Sequence, residues 1–183
     1  MSDSLSKPEL KKVEIVDGKI NFACLREECP NSCCGPFGGV QHGISSVTGR
    51  EFSEIILTPD DAPRITDAGY SDFTERGEDG FYRMRLLADG TCSAFKNGRC
   101  SIHPVKPTVC RAFPFYVDMF VGLCGVTSCP GFGAGWTDLD RLRSEFEAAR
   151  RMYTFWLESL RVQGGTQEQP VNPFRIIPGD GQR

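Results

Sequence analysis

The chain has 183 residues, a net charge of −3 at neutral pH and a hydrophobic fraction of 39%. That charge supplies no broad attraction for nucleic acid or an anionic membrane surface, and thirteen Phe in so apolar a chain argue against disorder. The length suits one domain, at roughly 100–200 residues apiece, and a chain of this size buries about 70% of its unfolded surface, enough for a core without covalent staples.

The opening MSDSLSKPELKKV has no apolar stretch of the kind a secretory leader requires. No run approaches the roughly 18 consecutive apolar residues of a membrane span. Both predict a cytoplasmic protein with no membrane partner, in a compartment where thiols stay reduced. Along the chain, VEIV-DG-KINF (Val13 to Phe22) reads as a β-hairpin turning at Asp17-Gly18. It leads straight to Cys24. The stretch CGPFGGVQHG, Cys34 to Gly43, is glycine-rich and reads as irregular. Ile55 to Leu57 reads as a short strand. A helix follows, with Thr58 as N-cap, Pro59 at the first helical position and Asp60 and Asp61 in the first turn, ending near Gly69.

Phe81 to Leu87 alternates as a strand does, and Ala88-Asp89-Gly90 turns it. Asn97-Gly98 makes a second turn, so Cys92 and Cys100 flank a hairpin. Pro107 starts a short helix carrying Cys110 and Arg111, which stops before Pro114. Phe115 to Leu123 reads as one buried strand and CPGFGAG, Cys129 to Gly135, as a loop. The strongest helix comes next. Thr137 and Asp140 resemble a capping box, and Leu139, Leu142, Phe146, Ala149, Tyr153, Trp156 and Leu160 form an apolar seam ending near Gly164-Gly165. Packing on the parent domain is the expected use of that seam. The pattern as a whole predicts an α+β fold: a small, irregular, cysteine-rich metal-binding domain with short β-hairpins and a long C-terminal helix. Residues 1–183 form a single domain in this reading, with a core over 20–135, the helix over 137–162 and an extended tail over 164–183, pinned in part by Phe174, Ile176 and Ile177.

Nine cysteines carry the chemistry. They fall into three groups: Cys24-x4-Cys29-x3-Cys33-Cys34, then Cys92, Cys100 and Cys110, then Cys124-x4-Cys129. Thiolates are soft, charged ligands that hold zinc or iron–sulfur clusters. A disulfide framework would need secretion, would leave one cysteine unpaired, and would force neighbours Cys33 and Cys34 far from preferred geometry. Adjacent side chains diverge, so Cys33 and Cys34 face different ligands or different sites. Eight thiols suffice for two four-ligand zinc sites. Equally, four could hold one 4Fe–4S cluster while others line the pocket or hold a second metal.

His42 reads as a surface histidine, and His103 is divided between hydrogen bonding behind a ligand and a plain structural role. Clustered thiolates repel one another, so cations belong beside them; Arg111 and Lys106 are the candidates. Glu27 and Glu28 read as solvent-facing. Gly131-Phe-Gly133-Ala-Gly135 reads as a structural turn, and no nucleotide-binding fingerprint or radical CxxxCxxC pattern occurs.

FACLREECPNSCC, then GTCSAFKNGRCSIHPVKPTVCRAFPF, then SCPGFGAG resemble the YkgJ-type cysteine-cluster family, a zinc- or iron-chelating domain, over about residues 20–135. The second signature of that family, C-x-I-Y-x2-R-P-x2-C-R-x-F-P, is met by Cys100 to Pro114. Four residues rather than two separate Cys24 and Cys29, His103 replaces the usual Tyr, and Lys106 replaces Arg, losing a bidentate fork. The resemblance implies Cys24, Cys29, Cys33, Cys34, Cys92, Cys100, Cys110 and Cys129 as metal ligands, with Cys124 spare. Relatives in flagellin lysine N-methylases would imply S-adenosylmethionine and a protein lysine substrate.

The expected function is therefore a cytoplasmic metal-binding protein holding an iron–sulfur cluster of the 4Fe–4S kind, with a redox or modifying role. The alternatives are a zinc-stapled interaction module and a protein-lysine N-methylase-like enzyme. The preference for iron rests on the scarcity of histidine, the excess over four thiols and the family association. A protein partner or protein substrate is expected, and no nucleic acid.

Overall fold

The structure, a computed structural model, describes residues 10–25, 28–29, 33–35, 54–118, 120–126 and 129–163. The glycine-rich stretch beyond Gly35, with His42, and the tail over 164–183 lie outside the described residues, as does Glu27. The fold is α+β, and its strands pair antiparallel in small groups. β1 (Leu10–Lys12), β8 (Gly122–Val126) and β7 (Phe115–Asp118) make a three-stranded sheet with β8 in the middle. β2 (Lys19–Phe22) pairs with β9 (Phe132–Asp138). Two further pairs join β3 (Thr74–Arg76) to β4 (Tyr82–Met84) and β5 (Phe95–Lys96) to β6 (Arg99–Cys100). The helices are α1 (Asp61–Asp67), α2 (Thr108–Ala112) and α3 (Arg143–Gln163).

Several readings of the sequence change; the expected Ile55–Leu57 strand, for one, is a single bridge from Ile56 to Arg83. The Asp17-Gly18 turn forms, with both residues left-handed at φ 50 and 72 and Val16 and Lys19 exchanging two hydrogen bonds. Its arms then part: Val13 donates to the Leu123 carbonyl, and β2 turns to β9. The Phe115–Leu123 strand is a hairpin. The Asp118 carboxylate accepts the N–H groups of Phe120 and Val121, and Gly122 at φ 89 completes the reversal. An apolar run hides such a turn, because Phe120 and Val121 sit exposed at its tip.

The stretch after Cys129 is a strand instead of a loop. Its glycines supply a bulge: Phe22 faces Phe132 while Asn21 faces Trp136, and Gly133 at φ 84 takes up the excess chain. Finally, the long helix starts at Arg143 after a 3-10 turn over Leu139–Leu142. The Thr137 hydroxyl donates to the Phe22 carbonyl, not to a helix cap.

α3 lays Leu142, Ala148, Ala149 and Met152 into a core shared with Ile20, Phe22, Ala112 and Phe115. This is the parent-domain packing expected of the seam, with Met152 and Ala148 added to it and Leu160 outside the described side chains. Phe115 is the aromatic hub, with ring centroids 5.0 Å from Phe22, 5.0 Å from Phe146 and 5.8 Å from Phe132. Such edge-to-face pairs contribute about 0.5–1.5 kcal/mol each beyond the area they bury. A second core joins Ile55, Leu57, Ile65, Met84, Cys92, Ala94 and Ile102. Val109 of α2 packs against both cores.

α2 is held in place by a carboxylate. Asp61 is fully buried, and it accepts the Thr108 N–H at 3.0 and 3.1 Å, the Thr108 hydroxyl at 2.8 Å and the Thr58 N–H at 3.0 Å. Arg64 pairs with the same carboxylate and reaches on to the Lys106 carbonyl at 3.2 Å. Thr58 is thus bound through its backbone by Asp61, and Asp60 occupies the helix cap position. Removing a buried carboxylate leaves several donors unpaired at about 1–3 kcal/mol each. We expect Asp61→Ala to lower unfolding free energy by about 3 kcal/mol and Thr108→Val by about 1 kcal/mol. Denaturant titration of the two variants beside the parent protein checks both values.

Candidate metal centre

None of the nine cysteines is in a disulfide. The first and third groups meet through the β2–β9 pair. Past Phe22 the ladder continues, with the Ala23 N–H donating to the Gly131 carbonyl at 3.0 Å, and the Phe132 N–H closing back on the Cys129 carbonyl at 3.1 Å. Cys24 therefore leaves one strand where Cys129 enters the other. Beyond Cys24, the Glu28 N–H donates to the Leu25 carbonyl at 3.1 Å, one residue before Cys29. The strands can lie this close because residue 131 has no side chain: a Cβ there would meet the Phe22 ring at 2.7 Å and the Ala23 carbonyl at 2.8 Å.

The first and second groups meet in a separate contact. The Cys92 N–H donates to the Cys34 carbonyl at 2.8 Å, laying the Cys33-Cys34-Gly35 segment along residues 90–92. Gly35, at φ 105, sits where a Cβ would fall 2.8 Å from the Thr91 Cα. The Phe95 N–H returns to the Cys92 carbonyl, and the Asn97-Gly98 turn, at φ 52 and 75, folds Cys100 back opposite Phe95. The expected hairpin between Cys92 and Cys100 is present. Cys110 comes from α2, whose N-terminus Asp61 anchors. Cys92 is buried in the second core, with Cys34, Cys100 and Cys110 half-buried against it.

The thiols influence one another's charge. Burial pushes Cys110 well above the ordinary 9.0, and the neighbouring sulfurs of Cys33, Cys92 and Cys100 push it further. Burial also raises Cys92 and Cys100, and raises Cys129 to about 11 with Cys29, Cys24 and Cys33 adding to the shift. Cys33 goes the other way, to about 7, because the Cys34 thiol donates to its sulfur and Lys106 lies near. Cys34 rises, chiefly for donating that hydrogen bond. Lys106 also opposes the rise at Cys100 and Cys110, so it is the compensating cation the sequence suggested. Arg111 is half-buried on α2, and His103 and Glu28 are exposed. Among the described residues, no three of the Cys, His, Asp and Glu side chains already stand arranged around one ion.

Cys124 lies apart. It sits buried in the middle strand β8, opposite Tyr116 on one side and Lys12 on the other. The charged groups that act on it are Asp118 and Lys12, not the other sulfurs.

A family model described as "CxxCxxCC: Putative zinc- or iron-chelating domain" matches residues 23–130. The chain belongs to this family. The matched span opens one residue before Cys24 and closes one residue after Cys129, so it contains every cysteine of the CxxCxxCC domain in this chain. No curated protein and no solved structure gives a match. Among the described residues, no helix is long and apolar enough to cross a membrane.

The donor set fits a zinc- or iron-chelating CxxCxxCC domain. It consists of thiols, the one described histidine, His103, is exposed on its 3-10 turn, and Cys33 is lowered to about 7 while a bound cation would displace protons from the raised Cys34, Cys92, Cys100, Cys110 and Cys129. Two residues that position these thiols escape inspection of the sequence. Asp61 looks like an ordinary first-turn acid, and Gly131 looks like loop glycine.

Two outcomes follow. Removing the Lys106 charge with Lys106→Met takes away its favourable influence on Cys33, Cys100 and Cys110, so metal uptake, followed as a function of pH, shifts its onset upward. In metal-free protein, Cys33 contributes stability that is present above pH 9 and lost as pH falls through about 7. The raised thiols contribute stability that is present below pH 9 and lost on further rise, through about 11 for Cys129. Denaturation with chelator present should therefore show greatest stability near pH 9; a curve that climbs steadily past that point would contradict the assignment.

Proposed function

We propose that the domain holds an iron–sulfur cluster of the 4Fe–4S type on Cys34, Cys92, Cys100 and Cys110, in a reducing compartment. One observation carries this reading: four thiols from the Cys33-Cys34 segment, the stretch before β5, β6 and α2 all sit on one apolar core. Cluster ligation asks for four cysteine thiolates, and a low-dielectric shell around the sulfurs limits solvent access and sets the potential. No described histidine competes as a donor from within that core. Zinc would accept the same four thiolates, as a structural tetrahedral site does. The iron reading rests on the all-thiol donor set and on thiols in excess of four.

The test is anaerobic purification followed by iron and acid-labile sulfide analysis and visible spectroscopy. Iron and sulfide should appear in equal amounts with a broad absorption that bleaches on reduction. Cys92→Ser and Cys110→Ser should lose that absorption, while Cys124→Ser keeps it. A colourless protein carrying zinc would defeat the iron version.

A further inference from the structure

We infer that the chain's own C-terminal segment, Pro173 to Pro178, docks in an apolar groove between α1, the β3–β4 hairpin and α3, and straps the three together.

The groove has a volume of about 590 Å³, and its lining includes Leu57, Ala62, Phe81, Tyr82 and Phe155, with Asp67 among the polar residues. Cavities of about 300–1,000 Å³ are the size that takes a ligand. Its walls are held together across the elements. The Leu57 N–H donates to the Tyr82 carbonyl at 2.8 Å, and the Phe81 ring meets Phe155 edge-on with centroids 5.8 Å apart. Tyr82 is still 45% exposed, and apolar surface left in water favours an occupant.

The length of the chain and the place where α3 ends point to that occupant. Phe155 stands eight residues before Gln163, the last residue of α3, or about 12 Å along the helix axis. Eleven residues then lead from Gln163 to Phe174. A flexible stretch of that length spans about 18 Å on average, so the segment reaches back to Phe155 without strain. Gly164-Gly165 begins the stretch, and glycine after a helix is the residue that lets a chain reverse. A tether this short sets an effective concentration in roughly the mM range, which favours the tail over a free partner.

The segment Pro173-Phe174-Arg175-Ile176-Ile177-Pro178 has the chemistry to fill the groove. Proline locks its own φ and pushes the residue before it out of the helical region, so a proline at each end favours extended backbone. Phe174 and Ile176 then share one face, and Arg175 lies on the other, available to the exposed Asp67. A segment already extended loses little freedom on docking. Once docked it buttresses α1, the helix whose Asp61 and Arg64 hold the start of α2.

The test uses the full-length protein with Phe174 replaced by p-benzoylphenylalanine, a photoreactive aromatic residue. Irradiation should join position 174 to residues 57–67, 80–82 or 155 of the same chain, as mapped by mass spectrometry. Thr66→Arg, which puts a charge at an exposed position of the groove lining, should lower the yield about tenfold, and so should Ile176→Asp in the tail. Absence of an intrachain product, attachment elsewhere in the chain, or an unchanged yield in either variant would overturn the proposal. A cross-linked dimer in place of the intrachain product would overturn it too, and would assign the groove to a second copy.

Discussion

The carboxylate of Asp61 is the constraint on which the arrangement of thiols depends. Helix α2 has only five residues, too few to be stable alone, since nucleating a helical turn is unfavourable and isolated helices below about 12–15 residues are marginal. Asp61 supplies from another helix what a local cap would, taking both the N–H and the hydroxyl of Thr108. Arg64 ties down the Lys106 carbonyl from the same turn. One buried anion thereby sets the position of a cation, Lys106, and of a thiol, Cys110, that lie on either side of Thr108.

Electrostatics set the second limit. Eight sulfurs close together cannot all ionise without a cation, and the protein supplies Lys106 as the compensating charge acting on Cys33, Cys100 and Cys110. Burial raises Cys92, Cys100, Cys110 and Cys129, which favours their protonated form in the metal-free chain. Metal uptake then becomes a competition with protons. The hydrogen bond from Cys34 to Cys33 divides the pair into a thiol that ionises readily and one that resists, and it does so at the boundary between the two cores.

Much of this was legible from the residues. Asn97-Gly98 and Asp17-Gly18 declare their turns because two successive left-handed residues are costly for anything else. The cysteine spacing announces a chelating domain, and the family match over residues 23–130 agrees. The fold class was equally plain. What could not be read is long-range: Asp61 and Thr108 are 47 residues apart, and Thr137 and the Phe22 carbonyl 115 apart. Gly131 is needed for close approach to Phe22 and Ala23, a requirement visible only when both strands are in place. The Phe115 to Leu123 run misled because its hairpin tip is apolar, so periodicity could not expose the Asp118 turn.

The pairing of β2 with β9 also orders events during synthesis. β2 emerges early, but the strand that completes its ladder, and Cys129 with it, is made last among the sheets. Until then the early cysteines have no neighbour across that ladder, and contacts so distant in sequence close slowly. Closing the ladder brings Cys129 beside Cys24 without covering it, since Cys24 is exposed in the folded chain as well.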